Sequence, residues 1–80
     1  MQKFKQFSGR EVIKIFELHG FKIKRTKGDH VRLTLIQGTD SYHITIPLHK
    51  SLKTGTLHSL VKDFELCFGK EETEKLFFND

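Results

Sequence analysis

The sequence has little to hold it together except packing. Its 80 residues contain one cysteine, so no internal disulfide forms and a cystine-stapled fold is excluded. The single thiol fits a reducing compartment. Pro47 is the sole proline, and there is no tryptophan. No apolar run approaches the ~18 residues of a membrane span. The opening MQKFKQF lacks the apolar stretch of a secretory signal. A cytoplasmic protein without membrane association is therefore expected. Internal repeats and low-complexity segments are missing, as is a glycine-rich loop of the nucleotide-binding type. The five histidines have no neighbouring cysteine or carboxylate at the usual ligand spacing. Neither a metal nor a cofactor is expected.

What is present suits one globular domain spanning residues 1–80. Apolar residues make up 36% and charged residues 30%. A domain this small buries only about 60–65% of its unfolded surface, so its core has to be well used. Eight phenylalanines point to a Phe-rich core. The net charge of +4 is unevenly spread. Residues 22–62 carry Lys22, Lys24, Arg25, Lys27, Arg32, Lys50, Lys53 and Lys62 against Asp29 and Asp40, whereas residues 63–80 carry six acids against Lys70 and Lys75. A basic middle is the footprint of a phosphate-binding surface, or else a set of ordinary solvated lysines.

The elements are short and clearly punctuated. Ser8 and Glu11 form a capping-box pattern. Val12, Ile15, Phe16 and His19 follow at helical spacing beside Ile13, giving an amphipathic helix over 9–19. Gly20 is placed to end it in the left-handed conformation, with Phe21 folding back. Three period-2 segments come next, at 21–26, 30–36 and 41–47, separated by turn signals at Lys27-Gly28-Asp29 and Gln37-Gly38-Thr39-Asp40. A basic loop, 48–54, leads to a second helix over 56–66, capped by Thr54 or Thr56, with Leu57, Leu60, Val61 and Phe64 at helical spacing. Residues 70–78 read as a short acidic third helix or a frayed tail anchored by Leu76, Phe77 and Phe78. The fold class is α+β, α-β-β-β-α, with two helices on one face of a three-stranded antiparallel sheet and a short C-terminal helix.

Alternation sorts the strand residues. Phe21, Ile23, Val31, Leu33, Leu35, Tyr42, Ile44 and Ile46 fall on one face and require cover. The opposite face collects Lys22, Lys24, His30, Arg32, Thr34, His43 and Thr45, a basic surface bearing two histidines. A shift of one residue in register would undo this assignment.

Four stretches, in order, resemble the HicA (YcfA-like) toxin family: His19-Gly20-Phe21 at the end of the first helix, Lys27-Gly28-Asp29-His30, Ile46-Pro47-Leu48-His49, and Gly55-Thr56-Leu57 with Leu60 and Val61. The ending Gly69-Lys70-Glu71-Glu72 is also similar, and the resemblance covers about residues 8–77. It implies a double-stranded-RNA-binding-domain-like fold, mRNA-cleaving endoribonuclease activity, and a HicB-type antitoxin that covers the active face. The family's catalytic histidine maps onto His30. Asp29 stands where the family usually has serine. A carboxylate there favours the protonated imidazole and repels phosphate, so reduced or differently tuned activity is expected.

Such chemistry suits the residues. RNA cleavage without a metal needs a base for the 2′-hydroxyl proton, an acid for the leaving 5′-oxygen, and positive charge near the phosphorane. By alternation His30 lies between Lys22 or Lys24 and Arg32. The expected RNA contacts are Lys22, Lys24, Lys27, Arg32, Lys50 and Lys53; Lys50 and Lys53 either bind a phosphate with the free amides of the second helix or are simply solvated. His43 and His49 are candidates for the second proton transfer, although His49 reads better as a residue that ties down its loop. His19 and His58 read as structural, and Gly28 as a turn requirement. Two rival functions are a non-catalytic RNA-binding module and a degenerate toxin that only binds its antitoxin.

Overall fold

The computed structural model describes residues 3–79. Its elements are β1 (Lys3–Phe4), α1 (Gly9–Leu18), β2 (Lys22–Lys27), β3 (His30–Gln37), β4 (Asp40–Pro47), α2 (Thr54–Phe68), α3 (Lys70–Phe77) and β5 (Phe78–Asn79). The architecture is the expected α+β, α-β-β-β-α order. The main sheet is antiparallel with strand order β2-β3-β4, and a two-stranded β1–β5 pairing closes the described ends against each other.

Helix α1 begins and ends on local chemistry. The Ser8 hydroxyl accepts from the Glu11 amide at 3.2 Å, and the Glu11 carboxylate accepts from the Ser8 amide at 2.8 Å. Both halves of the capping box are formed. At the other end, Gly20 has φ +104°. The Gly20 amide donates to the Glu17 carbonyl and the Phe21 amide to the Phe16 carbonyl, each at 3.1 Å. This is a Schellman ending, and its apolar contact is the edge-on pair Phe16–Phe21 with centroids 5.1 Å apart.

Two-residue loops join the three main strands: Gly28-Asp29 between Lys27 and His30, and Gly38-Thr39 between Gln37 and Asp40. Both glycines have φ +60°, and no non-glycine residue among those described has positive φ. These are the features of type II′ turns, which match the twist of the strands they connect. Strands β3 and β4 pair without interruption, and their alternation follows the sequence pattern. Val31 opposes Ile46, Leu33 opposes Ile44 and Leu35 opposes Tyr42 on the covered face. His30, Arg32, Thr34 and Ile36 oppose Pro47, Thr45, His43 and Ser41 on the open face.

Strand β2 departs from simple alternation. Lys22 pairs with Thr34 and Ile23 with Leu33, but the next partners are Arg25 with Arg32, Thr26 with Val31 and Lys27 with His30. Lys24 is the extra residue of a β-bulge, so the parity of β2 reverses beyond it. Arg25 and Lys27 join the open face, and Thr26 moves to the helix side. Unbroken alternation from Lys22 puts Thr26 on the open face and Arg25 and Lys27 opposite; the bulge reverses all three.

The core lies between the helices and the β3–β4 side of the sheet. Phe16, Phe21, Phe64 and Phe77 are among its largest fully buried side chains. Rings of Phe16 and Phe64 meet edge-on at 5.3 Å, and Phe64 meets Phe77 at 5.2 Å, joining all three helices. Helices α1 and α2 pack over β4, whereas all six residues of β2 are exposed. Ile23 therefore lies on the helix side without being buried.

Helix α2 is longer than its periodicity suggests. It runs 54–68 rather than 56–66, and Lys53 occupies its N-cap with no side-chain bond, so neither Thr54 nor Thr56 caps it. Residues 70–77 are helical and packed. Thr73 is buried and its hydroxyl donates to the Gly69 carbonyl at 2.6 Å. The His19 ring lies at hydrogen-bond distance from the Ile15 carbonyl (2.8 Å) and from Glu72 Oε2 (3.1 Å). It also lies edge-on to Phe64 at 4.9 Å. The structural reading of His19 is explained by these contacts, whereas His58 is exposed. Among the described residues, no helix is long and apolar enough to cross a membrane.

Candidate active site

Three segments far apart in sequence meet at one corner of the sheet: the β2–β3 turn, the chain leaving β4, and the start of α1. The Leu48 amide donates to the Asp29 carbonyl at 2.6 Å, and the Gly9 amide donates to the His49 carbonyl at 2.9 Å. The approach is close at Gly9, where an added Cβ would stand 1.9 Å from the Pro47 carbonyl oxygen. Only glycine allows the first turn of α1 to seat there.

These bonds fix the backbones of residues 29 and 49 side by side, and their side chains complete the contact. Asp29 Oδ1 lies 3.0 Å from His30 Nδ1, while Asp29 Oδ2 lies 3.4 Å from His49 Nε2. One carboxylate thus faces two imidazoles. All three side chains are half or more exposed, so a phosphodiester has access to them. Among the described residues, no group of three or more His, Cys, Asp or Glu side chains is placed to hold a metal ion.

Cations border the pair on the open face. Lys27 opposes His30 directly, and Arg32 follows two residues along β3 with Arg25 opposite it. A cleft there is lined by Lys24, Arg25, Arg32 and His43. Two arginines facing each other across a ladder repel, and an anion between them relieves the cost.

The expected site residues are not all near one another. Lys27 and Arg32 flank His30. Lys24 occupies the bulge, one pair farther away. Lys22 opposes Thr34, about 13 Å along the sheet from His30 at ~3.3 Å per residue. It does not flank His30 as alternation implied. Lys50 and Lys53 are exposed in the segment that enters α2. His43 also opposes Thr34 and its Nδ1 lies 3.0 Å from the Thr34 hydroxyl; it stays away from His30. His49 comes close: its carbonyl accepts from the Gly9 amide and its ring faces Asp29, contacts that fit its reading as a residue that ties down its loop. Arg25 was missed by period-2 reading, and the signal was the adjacent pair Lys24-Arg25 in an otherwise alternating strand.

A family model described as "HicA toxin of bacterial toxin-antitoxin" matches residues 9–66, well over half of the chain. The chain belongs to the HicA toxin family. The matched segment contains α1, the three main strands and most of α2, and it includes Asp29, His30 and His49. A toxin role follows from membership, as does an antitoxin partner. No curated protein and no solved structure matches the chain significantly.

Proposed function

We infer that this HicA-family chain is a toxin endoribonuclease that cleaves mRNA in the cytoplasm, without a metal ion, using His30 for proton transfer. It is neutralised by a HicB-type antitoxin. The observation that carries the reading is an exposed imidazole beside a pair of opposed arginines on a sheet face that no helix covers. The His30 side chain is 61% exposed, while Lys27, Arg25 and Arg32 supply the positive charge that a phosphorane requires. Single-stranded RNA tracks along the cations of β2 through its phosphates. The same basic surface suits an acidic antitoxin, which shields the histidine as it docks.

Incubation of the purified protein with mRNA in excess EDTA tests this. The native chain is expected to generate 5′-hydroxyl ends, and His30→Ala to lose at least about 100-fold of the rate, the usual worth of a proton-transfer group. Binding without cleavage by both proteins would leave an RNA-binding module instead. A degenerate toxin is favoured by one specific observation, the carboxylate of Asp29 beside the phosphate site. That reading requires an inactive native chain in which Asp29→Ser creates activity.

A further inference from the structure

We propose that His49 performs the second proton transfer and that Asp29 is the positioning residue for both histidines. The proposal rests on the ribonuclease reading and assigns the partner that His30 lacks.

The geometry is specific. Asp29 offers one oxygen to each ring, Oδ1 to His30 Nδ1 and Oδ2 to His49 Nε2. An imidazole nitrogen facing a carboxylate keeps its proton, so the opposite nitrogen is the one free to act. Those are Nε2 of His30 and Nδ1 of His49. Both rings face one carboxylate at 3.0 and 3.4 Å, as charge contacts rather than closed hydrogen bonds, and in a ligand-free site such contacts tighten around substrate. The backbone bonds Leu48 N–H to Asp29 O and Gly9 N–H to His49 O hold both segments in place. Charged groups on the elements packed at this corner are Asp29 in the turn, Lys27 on β2, Arg32 on β3, Lys50 next to His49, and Arg10 and Glu11 in the first turn of α1.

In the reaction the 2′-oxygen attacks phosphorus as the bond from phosphorus to the 5′-oxygen breaks. One histidine takes the 2′-hydroxyl proton, and the other, protonated, delivers its proton to the departing 5′-oxygen. The products are a 2′,3′-cyclic phosphate and a 5′-hydroxyl, with no further reactant. Asp29 accordingly supports catalysis, although a lone carboxylate beside one histidine would merely repel the substrate.

The test compares the native chain with His49→Ala, His49→Gln, His30→Ala and Asp29→Asn. Each is assayed from pH 5 to 9 on an oligoribonucleotide and on a ribonucleoside 3′-(4-nitrophenyl phosphate). His49→Ala and His49→Gln are both expected to lower kcat about 100-fold with KM changed less than about threefold, and to lose one limb of the bell-shaped profile. The nitrophenolate leaves without a proton, so one of the two histidine-to-alanine variants regains most of its rate on the aryl substrate; that variant lacks the acid. Asp29→Asn is expected to lower kcat about tenfold at unchanged KM. His49→Gln retains a donor for Asp29 and controls for folding, checked by thermal melting. A His49→Gln enzyme with an intact bell and a near-native kcat would reduce the contact to a structural clasp and overturn the proposal, as would an Asp29→Asn enzyme of full activity. If His30→Ala remains inactive in that case, the ribonuclease reading stands; if His30→Ala is active, that reading fails as well.

Discussion

Ile46 and Ile23 point to the same side of one sheet, yet Ile46 is 0% exposed and Ile23 is 47% exposed. Ile46 lies on β4, beneath the helices; Ile23 lies on β2 at the margin of their cover, in an open groove it shares with Arg10, Ile13 and Glu17 of α1. Both strands are edges of the sheet. The difference shows how the molecule divides its work. Apolar burial is concentrated on β3, β4 and the helices, and β2 is left free to carry Lys22, Lys24, Arg25 and Lys27. Charge and a bulge on β2 also blunt an edge that would otherwise invite another strand. The ordinary structural value of these cations and their proposed RNA contacts are therefore compatible.

The largest expected effect separates the two edges by stability. Ile46→Ala removes a fully buried side chain packed across from Val31 and is expected to cost about 2–5 kcal/mol. Ile23→Ala removes a half-exposed side chain and is expected to cost less than about 1 kcal/mol. Urea unfolding of the two variants measures both. Equal losses would show that β2 is as firmly packed as β4.

Particular residues show why one edge was easier to read than the other. Alternation placed residues 30–35 and 42–46 on their observed faces, because β3 and β4 pair without a break. It failed within β2, because a bulge belongs to a pairing of two strands, and Lys24 is no different chemically when it is the skipped residue. The ends of α1 were legible since Ser8, Glu11 and Gly20 act locally. The start of α2 at Thr54 was not, because no side chain caps it; its far end is marked only by Gly69, with φ +92° and its amide on the Glu65 carbonyl, beyond the last apolar residue of the helical stripe. The candidate site was half legible. His30 stood out by position, and its cations by their density. Contact between Asp29 and His49 joins residues 20 apart in sequence, and it depends on Gly9 seating against Pro47, which no periodicity reports.

The bulge gives the next test. Arg25→Gln removes a cation from the open face, whereas Lys62→Gln removes one from α2. With catalysis disabled by His30→Ala, Arg25→Gln is expected to weaken RNA binding about fivefold at low salt. It should reduce the slope of log affinity against log salt by about 0.7–1. Lys62→Gln is expected to change either quantity little. Comparable losses from both would mean that RNA responds to net charge and that β2 has no special place.

The smallest expected effect belongs to the covered edge. Asp63 sits on α2 beside a narrow crevice lined by Phe21, Tyr42, Ile44, Leu66 and Cys67, with His43 of the open face at its rim, and its burial raises the carboxyl above its ordinary pKa. A raised folded-state pKa means that the folded chain binds the proton more tightly than the unfolded chain. Its contribution to stability is therefore full below the unfolded value and is lost as pH rises through the folded one. Asp63→Asn removes this penalty, so the variant is expected to gain up to about 0.5 kcal/mol at pH 7 and to lose the advantage near pH 3. The Cys67 thiol supplies a second readout. Burial pushes its pKa up first and the charge of Asp63 second, so Asp63→Asn is expected to speed thiol labelling at pH 8. RNA cleavage should be unaffected if the two edges are independent. A change in cleavage with Asp63→Asn would couple the covered edge to the open one and end the division of labour.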